Sequence, residues 1–278
     1  MDVFDTLLMR VTDPDVVIDA TCAWLASRTD AHLVTVQSAR RRACGLLAAT
    51  SVSKGFDPET PAEPYFSTWV RMLAGDRLGE PEIASLAAEA LEFELDTEKL
   101  CLSPNEAVLP LLEQARKSGV PVIALSDMYL DSGRIGVLLE HHGLAGYLSA
   151  VVSSADHSLQ KRTGRLFEYG LSGEGFYAGA TASDILHIGD DTHADGKMPT
   201  AKGMQSILVY DFREMCSRQL SFYLKRDYPT IAARTIETGG SAFGQLRGLE
   251  RAVLVTRSVR RLLIKSPLVQ CLRRGCTR

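Results

Sequence analysis

Four short apolar runs between Val120 and Tyr210 restrict the fold more than any other feature of the chain. They are Val120-Pro121-Val122-Ile123-Ala124-Leu125, Ala150-Val151-Val152, Ile185-Leu186-His187-Ile188 and Ser206-Ile207-Leu208-Val209-Tyr210. Each is too short for a buried helix and lacks the alternation of a half-exposed strand. Each therefore reads as a strand covered on both faces. Helical stretches alternate with them: Pro104 towards Gly119, Asp131 to a stop at Gly143, Gly164 to Leu171, and one running towards Gly203. Strands alternating with helices predict a parallel sheet with helices on both faces, a Rossmann-like α/β core.

The preceding stretch reads differently. Thr12-Asp13-Pro14-Asp15 is a helix start, with proline at the first helical position and acids in the first turn. Val16, Val17, Ala20, Trp24 and Leu25 then share one helical face. A second helix is predicted over Val36 to Ala49, its Arg40-Arg41-Arg42 run lying on a solvated face. Pro58, Pro61 and Pro64 mark a loop, and Tyr65 to Ala74 and Glu80 to Leu95 read as two more helices. No strand is expected here. The predicted organisation is an α/β core from residues 1–12 and 101–211, an all-helical insert over 13–100, and a helical or irregular extension over 212–278. A length of 278 residues suits one large domain carrying such an insert.

Charge is unevenly spread. From Gly244 onward nine Lys or Arg face a single acid, Glu250, so that segment carries +8 and the rest −11 within a total of −3. Apolar residues from Val253 to Leu272 interleave with these cations. Such a tail suits docking on the acidic body or on a protein partner, or contact with an anionic membrane surface. Arg257, Arg260 and Arg261 crowd the turns that hold Val259 and Leu262, which favours docking. No nucleic-acid partner is expected. The six cysteines are dispersed without a Cys-x-x-Cys pair, as free thiols of a reducing cytosol are, and a cytoplasmic protein is expected. No signal peptide and no membrane-length apolar stretch of ~18 residues is visible.

The polar residues that close the apolar runs form an ordered set. Met1-Asp2-Val3-Phe4-Asp5-Thr6-Leu7-Leu8 places two carboxylates and a hydroxyl in an apolar stretch, where bare charge is costly without a ligand or metal. Ser126-Asp127 ends a strand, Lys161 precedes a helix, and Gly189-Asp190-Asp191 with Asp195 follows a strand. Chemistry in such sheets collects at the carboxyl ends of strands. His187, inside a strand, reads as a packed histidine, and His193 as a solvated loop residue.

This set resembles the four motifs of the haloacid dehalogenase (HAD) superfamily over residues 2–210, with the helical insert resembling that family's cap. The resemblance implies Asp2 as nucleophile, with Ser126 and Lys161 as its catalytic partners. It implies substrate contacts from Thr6, Ser126, Asp127 and Lys161. It implies a magnesium ion held by Asp2, the Phe4 carbonyl, Asp190 and Asp191, with Asp195 as an alternate to Asp191. The implied activity is a magnesium-dependent phosphatase acting on a small phosphorylated metabolite or sugar phosphate through an aspartyl-phosphate. More narrowly, Asp-Val-Phe-Asp-Thr-Leu-Leu with Ser-Asp-Met-Tyr-Leu resembles HAD domains found beside glycosyltransferases in polysaccharide gene clusters. A catalytically impaired accessory module is therefore an alternative reading, and haloacid dehalogenation a weaker one. Two departures bear on the choice. Phe4 stands where HAD phosphatases carry an acid that protonates the leaving group, and only Met1 precedes Asp2, so that either the chain begins upstream or its central strand is clipped.

Overall fold

The computed structural model describes residues 1–209 apart from Val11 and Ala178; the basic segment beginning at Gly244 lies outside the described residues. The chain opens with a turn, then β1 (Leu8–Arg10) and four helices: α1 (Pro14–Thr29), α2 (Leu33–Ser53), α3 (Ala62–Ala74) and α4 (Glu80–Cys101). It continues with β2 (Leu102–Pro104), α5 (Leu109–Lys117), β3 (Ile123–Ser126), α6 (Ser132–His141), β4 (Ala150–Ser153), α7 (Ser154–His157) and α8 (Arg165–Leu171). β5 (Leu186–Gly189), a single π-helical turn (Thr192–Lys197), α9 (Met198–Ala201) and β6 (Gln205–Leu208) complete it.

β3 pairs in parallel with β4, and β5 with β6. The first residues join the two pairs. Met1 accepts from the Leu125 amide at 2.9 Å, and the Asp2 amide donates to the Ile188 carbonyl at 2.7 Å. Asp2 forms a parallel bridge with Leu125. The strand order is thus β4, β3, the Met1–Asp2 segment, β5, β6. Register places Ser126 beside Ser153 and Gly189 beside Leu208, so the polar ends of the strands share one edge.

The helical insert packs around Trp69, Phe66 and Leu25, all fully buried. The Trp69 Nε1–H donates to the Val36 carbonyl at 2.9 Å, tying α3 to α2. Arg40 departs from the sequence reading: Arg41 and Arg42 are exposed, but Arg40 is buried. Its guanidinium grips Glu94 of α4 with both oxygens, at 2.5 and 2.8 Å, and lies 4.8 Å from the Trp69 ring centre. A buried cation persists because it is fully paired. The Tyr129 hydroxyl, from the loop after β3, donates to the same carboxylate at 2.5 Å.

Two strands were not expected. β1 and β2 pair antiparallel, Leu8 with Pro104 and Arg10 with Leu102, and so lace together the two chain crossings between core and insert. Pro104 therefore closes a strand instead of opening a helix, and α5 begins only at Leu109. Three-residue strands show no readable period, and a proline is tolerated at a strand edge because it has no N–H to leave unpaired. No described helix is long and apolar enough to cross a membrane.

Candidate active site

Asp2 is placed by the sheet itself, held between β3 and β5 by its own backbone bonds. The chain then turns sharply: the Leu7 and Leu8 amides both return to the Val3 carbonyl, at 2.9 and 2.8 Å. Asp5 takes the left-handed conformation (φ 60°) in that turn. Its carboxylate pairs with Arg10 at 3.2 Å, so Asp5 braces the turn. The Arg10 guanidinium in turn lies 4.5 Å from the centre of the buried Phe4 ring.

Lys161 reaches this point from the loop before α8. Its buried ammonium donates to Asp2 Oδ1 at 2.5 Å and to Asp195 Oδ1 at 2.7 Å. Burial opposes its charge, but the carboxylates of Asp2 and Asp195 outweigh burial and hold its pKa above the ordinary lysine value. Burial pushes Asp2 up to about 7, against the pull of Lys161. Asp195 is also buried, yet hydrogen bonding from His187 and the charge of Lys161 keep it well below the usual carboxylate range. His187 itself is lowered by burial to about 4 and is neutral at pH 7. Facing an ionised Asp195 at 2.9 Å, its Nε2 carries the proton. The ring packs edge-on against Phe167, as a core histidine does.

Carboxylate oxygens of Asp2, Asp190 and Asp195 lie within 4.8 Å of one another. Three hard oxygens at a strand edge fit a divalent cation such as magnesium. The chemistry of the set distinguishes them. Asp195 already takes three donors: Oδ1 takes Lys161 and His187, and Oδ2 takes the Asp191 amide at 3.1 Å. Asp2 and Asp190 are the pair that the motif resemblance assigns to a cation, and Asp195 lies beside them. Asp195 can approach this closely only because Gly189 has no side chain: a Cβ there would lie 2.3 Å from the Asp195 carboxyl carbon.

The other expected site residues make contacts of their own. Asp191 is not in the acidic group. It caps the π-helical turn, accepting from the His193 and Ala194 amides at 2.7 and 2.9 Å, and pairs with Arg162 at 2.7 Å. Asp127 uses both oxygens to accept the Lys161 and Arg162 amides, at 2.7 and 3.0 Å, so it builds the lysine loop. Ser126 is buried at the end of β3. Thr6 is fully buried and its hydroxyl has no partner, an orphan that a ligand oxygen would satisfy. His193 is half-buried in the π-helical turn, with Nε2 3.0 Å from the Arg162 carbonyl.

Other contributors were not singled out in the sequence. Ser153 and Ser154 fasten the loop after β3: the Ser153 hydroxyl donates to the Leu130 carbonyl at 2.6 Å, and Ser154 Oγ accepts from the Met128 amide at 3.1 Å. Asp57 and Glu59 come from the proline-rich loop of the insert and are buried against the core. Burial raises Glu59 to about 7. Acids between prolines were the available signal, but only the folded chain shows what they touch.

This architecture, with an inserted helical cap and an Asp-Lys-Asp cluster at the sheet edge, is the fold of the haloacid dehalogenase superfamily. Among solved structures, the chain is similar to a 2-haloacid dehalogenase from Pseudomonas syringae, at 21% identity and a TM-score of 0.56, over 74% of this chain and 83% of that one. It is also similar to a HAD-hydrolase from Bacillus subtilis bound to magnesium, at 18% identity and a TM-score of 0.47, over 73% and 83%. A third is a HAD phosphatase from Thermococcus onnurineus, at 14% identity and 0.44, over 75% and 84%. Neither a protein-family model nor a curated protein sequence matches the chain.

Proposed function

We propose that the chain is a magnesium-dependent phosphohydrolase of the HAD type, acting on phosphate esters of small molecules. The carrying observation is the buried Lys161 ammonium shared by Asp2 and Asp195, with Asp190 alongside. A phosphate ester brings negative charge to a carboxylate nucleophile, so such a site needs a fixed cation beside the nucleophile. Asp2 and Asp190 would hold magnesium, which supplies further positive charge at the reacting group when bound. Asp2 attacks phosphorus; the bond to the leaving oxygen breaks and an aspartyl-phosphate forms. Water then cleaves that acyl phosphate and returns Asp2 as a carboxylate. Lys161 neutralises Asp2 and the transferred group throughout. The Thr6 hydroxyl, which lacks a partner, and the Ser126 hydroxyl would donate to phosphoryl oxygens. Phe4 provides no proton to the departing oxygen, and that help typically contributes ~10²–10⁴-fold, so esters with acidic alcohols are favoured.

Phe4 also favours a second reading. HAD dehalogenases carry an aromatic residue at this position, and in that reading Asp2 attacks carbon and displaces halide. One paired assay separates the two: release of para-nitrophenol from para-nitrophenyl phosphate with and without magnesium, and release of chloride from 2-chloropropionate without metal. Magnesium-dependent phenol release that Asp2→Asn abolishes supports the phosphohydrolase. Metal-independent chloride release, with no phenol released, overturns it.

A further inference from the structure

We infer that Asp57, a cap residue, is a positioning residue for Lys161, so that seating the cap on the core sets the lysine in place. The inference rests on the reading of Lys161 as the cation of the reaction. The loop that carries Lys161 runs from Ser158 to Arg165 and is closed on itself by a turn, the Gly164 amide donating to the Lys161 carbonyl at 2.8 Å and the Thr163 hydroxyl to the Gln160 carbonyl at 3.0 Å. Two carboxylates hold its backbone. Asp127, from the core, takes the amides of Lys161 and Arg162. Asp57, from the loop between α2 and α3, takes the neighbouring Gln160 amide at 2.7 Å.

The remaining Asp57 side-chain bonds serve the same loop. The Thr163 hydroxyl donates to the same oxygen at 2.6 Å, and the Arg165 guanidinium donates to the other at 3.1 Å. The Asp57 amide donates to the Ser158 carbonyl at 3.0 Å, and Arg165 reaches the Gly55 carbonyl at 3.0 Å. Ser158 takes the left-handed conformation as the C-cap of α7, its amide returning to the Ser154 carbonyl. Asp57 is 5% exposed, so these charge-assisted bonds are shielded from water.

Every one of these Asp57 and Gly55 contacts crosses from cap to core. Lifting the cap breaks them together and leaves the loop held by its own turn bonds, by Asp127 and by the Arg162 contacts with Asp191 and His193. Lys161 must hold its ammonium between two carboxylates to within a few tenths of an ångström, and a misplacement of ~1 Å can cost ~10²-fold in rate. A cap-borne carboxylate on the lysine loop therefore links solvent exclusion to assembly of the cation.

The test is amine acetylation of the full chain followed by peptide mass spectrometry, comparing wild type with Asp57→Ala and Arg165→Ala. Lys161 in Asp57→Ala is expected to label on the order of tenfold faster as its loop opens locally, with a smaller rise in Arg165→Ala. Cys22, fully buried in the cap, is the control: its thiol modification rate stays at the wild-type value when the cap remains folded. On para-nitrophenyl phosphate, Asp57→Ala should lower kcat ~10- to 100-fold with KM little changed. Asp57→Asn, which keeps an acceptor for the Gln160 amide, should recover part of the loss. Unchanged Lys161 labelling in both variants overturns the inference. If wild type turns over no phosphate ester, the labelling arm still decides whether Asp57 places Lys161, and the functional reading fails separately. If Asp57→Ala loses its fold and Cys22 is exposed, Arg165→Ala carries the decision: wild-type Lys161 labelling there counts against the coupling.

Discussion

Lys161 stays charged with almost no water around it because its two carboxylate partners are fixed by different means. Asp2 is placed by sheet hydrogen bonds and Asp195 by the missing side chain at Gly189. Glu98, at the end of α4, is the opposite case. It is buried, its nearest cation is Arg10 at 4.0 Å, and one of its oxygens has no partner. Burial raises its pKa to about 7. A carboxyl whose folded pKa lies above its unfolded value binds its proton more tightly when folded. Its charge therefore costs stability, and that cost grows from about pH 4.5 to 7 and is complete above. Glu98→Gln should raise the thermal midpoint at pH 8 and leave it nearly unchanged at pH 4.5, the gain reaching at most ~3 kcal/mol. Equal shifts at both pH values in thermal melts would mean that the gain comes from packing. At this scale the sequence was legible where a residue closes a strand: Asp2, Ser126 and Asp190 stand at strand ends, and Lys161 opens the stretch before a helix. It was not legible where a residue acts across the chain. Asp127 and Asp191 look like ligands in sequence and turn out to organise loops. Asp57 meets residues about a hundred positions away, which no local pattern encodes.

Helices were easy to read and the shortest strands were not. Helical spacing over many residues marked α1 to α4, although α4 extends to Cys101 beyond the expected Leu95. The pairing of β1 with β2 rests on three residues a side, below the length at which any period can be seen. The Arg40 run misled for a related reason: three consecutive arginines look solvated, yet a helix turns each to a different side. Arg40, Glu94 and Tyr129 form one buried unit linking α2, α4 and the loop after β3. Glu94→Ala strands the Arg40 charge and should destabilise the chain by ~3–5 kcal/mol, whereas the double variant Arg40→Met with Glu94→Leu should lose far less. Urea unfolding of both checks this. A double variant as unstable as the single one would show that packing, not unpaired charge, sets the cost.

A cation held by the acids at the sheet edge would compete with a proton on Asp2. With Asp2 raised to about 7, a cation must displace a proton at neutral pH and below. The shift in thermal midpoint caused by magnesium should therefore be larger at pH 8 than at pH 6, and a chelator should remove it at both. Asp190→Ala should reduce that shift more than Asp195→Ala, because Lys161, His187 and the Asp191 amide compete with a cation for the Asp195 oxygens. Titration of magnesium against each variant reads this out, and the reverse order would make Asp195 the direct ligand. The charge split between the acidic body and the basic tail was legible from composition alone.

The paired β1 and β2 make the cap removable. Arg10 and Leu102 are register partners in an antiparallel pair, so their Cα atoms sit about 5 Å apart, a gap that a two-residue Asn-Gly turn spans. Replacing everything between them with that turn would leave an ordinary β-hairpin where the insertion stands, with the strands around Asp2 undisturbed. Evolution could add, exchange or delete a lid at this point without reopening the design of the sheet. Such a minimal core would keep Asp2 at its sheet position and forfeit the Asp57 clasp, leaving Lys161 on an untethered loop.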